Sequence, residues 1–149
     1  MISQKTKYGL KAIICLARKA GNDNILITDI SKEEKIPQKF LEAILLELRK
    51  NGLLKSKKGK GGGYALGKSS KEIMIGDVIR ILEGPLAPVS CVSQTAYQRC
   101  KECKSEEKCE IRFIMKEVRD AMSSILDKTS LFVLLEKTQL SQNIANFQI

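Results

Sequence analysis

Cys91, Cys100, Cys103 and Cys109 fall within nineteen residues of a 149-residue chain that contains no histidine. Four thiols spaced x8, x2 and x5 call for metal or redox chemistry. Thiolates favour iron–sulfur clusters and zinc. A structural zinc site usually shows two tight ligand pairs, and only Cys100/Cys103 qualifies. Lys101, Lys104 and Lys108 surround the thiols, an electropositive setting that also suits direct oxidation. Iron–sulfur, zinc and thiol chemistry all remain open on the spacing alone. The fifth cysteine, Cys15, lies inside an apolar helical pattern and reads as a small buried hydrophobe.

Enzymatic use of these residues is not expected. The chain lacks the usual general base, and no paired catalytic carboxylates are in view. Cys100-x-x-Cys103 has no thioredoxin-like βαβ context. Gly62 to Ser69 matches the phosphate-binding G-x4-G-K-[ST] pattern, but that loop needs a strand before it and a helix from its lysine. Here Tyr64 to Leu66 reads as strand inside the motif, so the match is read as coincidence.

The positive charge sits at the other end of the chain. The net charge is +9. Residues 1–71 hold 16 Lys+Arg against 6 Asp+Glu, whereas residues 72–149 hold 10 against 11. A one-sided excess points to a polyanion-binding face, with double-stranded DNA the leading candidate. The longest apolar run, Ala12–Ala17, is too short to span a bilayer, and no hydrophobic leader follows Met1. A cytoplasmic protein without a membrane partner is expected, and there thiols stay reduced.

The elements that must carry these groups can be read from periodicity. A first helix is expected over 4–20, stopped at Gly21. Ile25–Ile27 is strand-like, and Thr28 caps a short helix over 29–35. Pro37 opens the next helix, where Phe40, Leu41, Ile44, Leu45 and Leu48 form one buried stripe. Gln38, Lys39, Glu42, Arg49 and Lys50 occupy its opposite face. Two short helices with a tight connection make a helix-turn-helix. Leu53–Lys57 and Gly63–Leu66 then form a β-hairpin wing with Lys57, Lys58 and Lys60 among glycines at its tip.

A helix over Ile75–Leu82 stops at Gly84-Pro85, and residues 85–109 show no period. Ile111, Ile114, Val118, Ala121 and Ile125, flanked by Met115 and Met122, then mark a long helix from Glu110 to Lys128. That stripe suits pairing with a helix from a second subunit. Thr129 caps a short helix through Leu135, and a polar, frayed tail follows over 138–149.

The expected fold is therefore mainly α with a small hairpin. Residues 1–84 form a winged helix-turn-helix, 85–109 a cysteine-bearing sensor loop, and 110–137 a dimerisation helix with a short terminal helix. Gln38, Lys39 and Glu42 would reach base edges. Arg49, Lys55, Lys57, Lys58, Lys60 and Tyr64 complete the candidate DNA-contacting set, the wing lysines contacting phosphates.

Several ordered motifs carry a family resemblance over residues 1–137. They are Tyr8-Gly9-Leu10, Phe40-Leu41-Glu42, Leu48 to Leu53, Gly61 to Leu66, and Leu82-Glu83-Gly84-Pro85 with a cysteine loop downstream. Together they resemble the Rrf2 family of bacterial regulators, of the IscR and CymR types. The resemblance implies a homodimeric winged-helix repressor or dual regulator whose long C-terminal helix crosses its partner. It implies promoters of iron–sulfur, cysteine, nitrosative or redox metabolism.

IscR-type members hold a [2Fe–2S] cluster on three cysteines, the last two separated by five residues. Cys103 and Cys109 match that spacing, Cys91 matches the first cysteine, and Cys100 is an extra thiol that can serve as the fourth ligand. Arg112 stands where that type has a histidine, so Glu106, Glu107, Glu110 or a partner-subunit group are the other candidates. Some relatives carry no cluster and respond through thiols or a regulatory protein partner, which leaves zinc or no cofactor as alternatives. The resemblance also places Glu42 at a base-reading glutamate and Lys58 at a wing arginine.

Overall fold

The computed structural model describes residues 2–19 and 24–147. Helix α1 (Gln4–Arg18) opens on Ser3, whose hydroxyl accepts from the Thr6 N–H at 3.3 Å. The expected stop at Gly21, like Ala20, lies outside the described residues; Lys19 ends the helix. Ala12, Ile13, Cys15 and Leu16 are buried, so α1 runs through the core as its nearly all-round apolar pattern requires. At Gly9 an added Cβ would sit 2.1 Å from Leu82 Cδ1 of a later helix, so a larger residue there would have to displace the Leu82 side chain.

Helix α2 (Ile27–Glu34) starts before the predicted cap: Leu26 holds the N-cap position and Thr28 lies in the first turn, exposed. The strand-like run at 25–27 reduces to Ile25, whose backbone exchanges two 2.8 Å hydrogen bonds with Tyr64. Lys35 takes a left-handed φ of 54°, which turns the chain sharply into α3 (Gln38–Lys50). Pro37 stands at the N-cap rather than inside the helix.

Leu41, Ile44, Leu45 and Leu48 are buried on α3, but Phe40 is not: it is 59% exposed. It lies on the edge of the stripe, with the Tyr8 ring of α1 at a centroid distance of 6.5 Å. The predicted stripe is thus one residue too wide.

β1 (Leu54–Lys57) and β2 (Gly63–Leu66) pair antiparallel, from Leu54 opposite Leu66 to Lys57 opposite Gly63. Gly63, with φ 121°, lies so close to α2's entry that a Cβ would fall 2.3 Å from the Ile25 carbonyl oxygen. Strand β2 occupies the interior of the G-x4-G-K-[ST] match and no helix starts at Lys68, so the P-loop geometry is absent there.

Helix α4 (Ile75–Leu82) buries Ile75, Val78, Ile79 and Leu82, as its period predicts. A single 3-10 turn at Ser90–Val92 interrupts the irregular segment that follows. Helix α5 (Glu110–Leu126) ends at Asp127, whose carboxylate takes both Arg80 guanidinium nitrogens at 2.7 and 2.8 Å and fixes α5 to α4.

Helix α6 (Leu131–Phe147) departs most from expectation. Its cap is Ser130, whose hydroxyl accepts from Val133 N–H at 3.1 Å; the Thr129 hydroxyl instead donates back to the Ile125 carbonyl. The helix does not stop near Leu135 but continues through the segment read as a frayed tail. No Gly or Pro occurs between 131 and 147, so nothing in the chain breaks the helix. Residues 148 and 149 lie outside the described ones. Among the described residues, no helix is long and apolar enough to cross a membrane.

Candidate functional site

The cationic half forms a face of two elements. On α3, Gln38, Lys39, Glu42, Arg49 and Lys50 are all exposed, held outward because Leu41, Ile44, Leu45 and Leu48 anchor the other side. Gln38 Nε2 lies 3.5 Å from Glu42 Oε1, one turn on, so the two base-reading candidates sit side by side. Arg49 donates to the Ser56 hydroxyl at 3.1 Å and ties the helix to the wing.

Lys55, Lys57, Lys58 and Lys60 are exposed on the hairpin. Tyr64 is different: it is half-buried and packs on the core, and its backbone is spent on Ile25. Sequence reasoning missed two features here. Leu46, 37% exposed, lines the groove between α3 and the wing together with Arg49 and Lys58. Behind the wing, Lys19 and Lys68 join Lys55 and Lys57 around a pocket of about 640 Å³. Their charges were visible in the sequence, but their convergence depends on how α1 packs against β2.

The cysteines occupy a second place. Cys91, Cys100, Cys103 and Cys109 all line one pocket of about 710 Å³, closed on one side by Ile111 and Arg112 at the start of α5. Cys91 rides on the 3-10 turn, which is anchored twice: the Ser90 carbonyl accepts from Gln98 N–H at 3.2 Å, and the Val92 carbonyl accepts from Arg119 at 2.6 Å. Cys100 and Cys103 share a turn closed by a 3.2 Å bond from Cys103 N–H to the Cys100 carbonyl. Cys109 caps α5, its sulfur accepting from Arg112 N–H at 3.4 Å.

All four thiols are free, with Cys100 the most exposed. Among the described residues, no three potential ligand atoms of this loop lie within 4.8 Å of one another. A mononuclear zinc tetrahedron with Zn–S of about 2.3 Å would demand such closeness. Of the carboxylates, Glu102 and Glu106 line the pocket, Glu102 exposed and Glu106 accepting from the Tyr97 hydroxyl, which pushes that phenol's pKa up; Glu107 and Glu110 are exposed and do not line it.

One trio does come within 4.8 Å: Cys15, Glu33 and Glu34. Its carboxylates are already paired with Lys19 and Arg18, and burial pushes the Cys15 thiol up. It is a core cysteine beneath a surface ion-pair network.

The comparisons with known proteins bear on both regions. The profile of the Rrf2 family, described as "Iron-dependent Transcriptional regulator", matches residues 2–137. The chain belongs to the Rrf2 family. It is 40% identical over 134 residues to an rrf2-like HTH-type regulator of Rhodobacter capsulatus, covering 88% of this chain and 89% of that one. The structure of CymR, the global cysteine regulator of Bacillus subtilis, superposes with a TM-score of 0.77 at 35% identity, covering 92% of this chain and 97% of that one. That of T. potens IscR superposes with a TM-score of 0.74 at 27% identity, covering 95% and 90%.

The protein is therefore a transcriptional regulator with the winged-helix fold of its Rrf2 relatives, and DNA binding is implied by that kinship. It is not an enzyme. A cysteine-ligated iron–sulfur group, the cofactor the resemblance implies, finds a compatible donor set: four soft thiols on one pocket with no histidine among them. A further local feature fits it. Arg112 lines this pocket, and its Nε is buried with no hydrogen-bond partner among the described residues.

Proposed function

We propose that this Rrf2 regulator binds promoter DNA as a homodimer and that an iron–sulfur group on the cysteine loop sets its DNA affinity. Cys91, Cys103 and Cys109 would hold the group with Cys100 completing the set; bound there, it supplies a centre whose charge and presence follow redox or iron status. The observation that carries this reading is the convergence of all four thiols on one pocket at the base of α5.

Coupling to DNA has a physical route. The pocket is built on the first turn of α5, and α5 is clamped to α4 of the winged helix through Arg80 and Asp127. Each subunit would place Gln38, Lys39 and Glu42 in a major groove while Lys57, Lys58 and Lys60 neutralise phosphates, so the operator would be a pseudo-palindrome. The dimer reading rests on α5. It buries no residue within the chain, while Ile111 and Ile125 are each 66% exposed and Ile114 and Val118 are also open. Ala121 lies on the same open side, and Met122 is half-buried beside it.

Anaerobic purification followed by visible absorption and iron, sulfide and zinc analysis tests the cofactor. Charge-transfer bands with matching iron and sulfide, lost in Cys103→Ala, are expected. A colourless protein without iron would refute the cluster reading.

A second reading is favoured by the likeness to CymR and by the Cys100–Cys103 turn: a cluster-free regulator that responds through thiol oxidation. It predicts a metal-free protein whose DNA affinity changes with peroxide and returns with dithiothreitol.

A further inference from the structure

Resting on the iron–sulfur reading, we propose that Arg112 is a positioning residue of the sensor site, a fixed positive charge and N–H donor to sulfur. It would serve an all-thiolate group held by Cys91, Cys100, Cys103 and Cys109. A buried donor without an acceptor is costly and rare, so an orphaned guanidinium nitrogen calls for a partner that occupies the pocket. Arg112 Nε is such a nitrogen, and its residue shares the pocket lining with the four cysteines.

Its surroundings narrow what that partner is. Among the described residues Arg112 has no salt bridge. Two carboxylates share the lining: Glu106 is engaged by Tyr97, and Glu102 is exposed. The backbone N–H of Arg112 is already bonded to the Cys109 sulfur, which fixes residue 112 beside one thiol. The Arg112 side chain lies near the Tyr97 phenol, and its residue shares the pocket lining with the four sulfurs.

Charge makes the pairing reciprocal. Four thiolates on a core of two ferric ions and two sulfides leave the assembly doubly negative, and uptake of one electron makes it more so. Arginine stays protonated under all ordinary conditions and offsets one of those charges at short range. Hydrogen bonds and positive charge near cluster sulfur favour the reduced form and raise the potential. We take Cys100, rather than a carboxylate, as fourth ligand: Glu107 and Glu110 stand off the pocket, Glu106 is engaged by Tyr97, and Glu102 is the rival carboxylate on the lining.

The test uses the full chain, reconstituted anaerobically with ferrous iron and sulfide. Wild type, Arg112→Gln, Arg112→Lys, Cys100→Ala, Glu102→Gln and Glu107→Gln are compared by iron and sulfide content, visible and EPR spectra, and dye-linked dithionite titration. Circular dichroism confirms that each variant is folded. Arg112→Gln is expected to lower the reduction equilibrium about tenfold, which is about 59 mV for a one-electron couple. Arg112→Lys should retain part of the difference. Cys100→Ala should change the EPR signature and reduce iron retention, and the two glutamate variants should match wild type.

An unchanged potential in Arg112→Gln, or iron lost equally from Arg112→Gln and Arg112→Lys, overturns the role of Arg112 while leaving the cluster reading standing. An unchanged spectrum in Cys100→Ala overturns the ligand assignment. A wild type that takes up no iron and sulfide overturns this inference and the cluster reading together.

Discussion

The winged helix and the α5 segment are built on opposite plans. In the winged helix, Leu41, Leu45, Leu48, Ile30 and Val78 are sealed from solvent in one shared core. Helix α5 has the same kind of stripe yet buries nothing, and the pocket at its start is lined by four thiols and by Arg112, whose Nε has no hydrogen-bond partner among the described residues. A DNA-reading surface must be rigid before it meets DNA, so its core closes within one chain. A sensing surface must change with what it binds, so its apolar and polar valences are left for another molecule to fill.

That contrast can be attacked from several sides. The largest effect should come from the closed core: Leu45→Ala leaves a cavity in that core and should cost about 2–5 kcal/mol in urea or guanidinium unfolding. A loss below about 1 kcal/mol would mean that the core is looser than its burial implies. The open stripe should behave the other way. Ile114→Glu should leave far-UV circular dichroism unchanged but move the sedimentation coefficient from dimer to monomer; a persistent dimer would place the interface elsewhere.

Smaller effects separate the two parts of the DNA face. Glu42→Ala should alter the preferred operator sequence by about 1–3 kcal/mol at the contacted pair, read by site selection. Replacing Lys57, Lys58 and Lys60 with Ala should weaken binding to every sequence alike. It should also flatten the dependence of log K on log salt by about one unit for each phosphate contact removed.

The smallest effect belongs to a hinge between α1 and α4. The exposed Glu83 carboxylate accepts from the Thr6 hydroxyl and from the N–H and hydroxyl of Ser3, which hold its pKa down to about 2 from 4.5. A depressed folded-state pKa adds stability that is complete above pH 4.5 and fades as pH falls toward 2. Glu83→Gln should remove that acid dependence from the thermal midpoint; an unchanged pH profile would mean that the three bonds do not persist in solution.

What the sequence disclosed follows the same division. The hairpin, α4 and the body of α3 were legible because period and punctuation agree there: apolar spacing inside, Asn51-Gly52 and Gly84-Pro85 at the ends. Phe40 misled because an aromatic beside Leu41 fits the stripe by letter, while its exposure depends on what α1 sets against it. Helix α6 was cut short because residues 138–147 look polar. Leu140, Ile144 and Phe147 still recur at helical spacing there, all exposed. The cysteine spacing announced a site, but the burial of Arg112 Nε depends on how the loop folds back on α5, which no local pattern encodes. Open surfaces are the hard part to read, since the partner that explains them is not in the chain.

The most direct test of the whole account is the operator affinity of anaerobically purified protein before and after its iron is removed with a chelator. The account predicts at least a several-fold change in Kd for the wild type and none for Cys103→Ala. Equal affinities in the iron-loaded and stripped wild type would contradict it, leaving a DNA-binding regulator whose cysteine pocket does not govern its DNA binding.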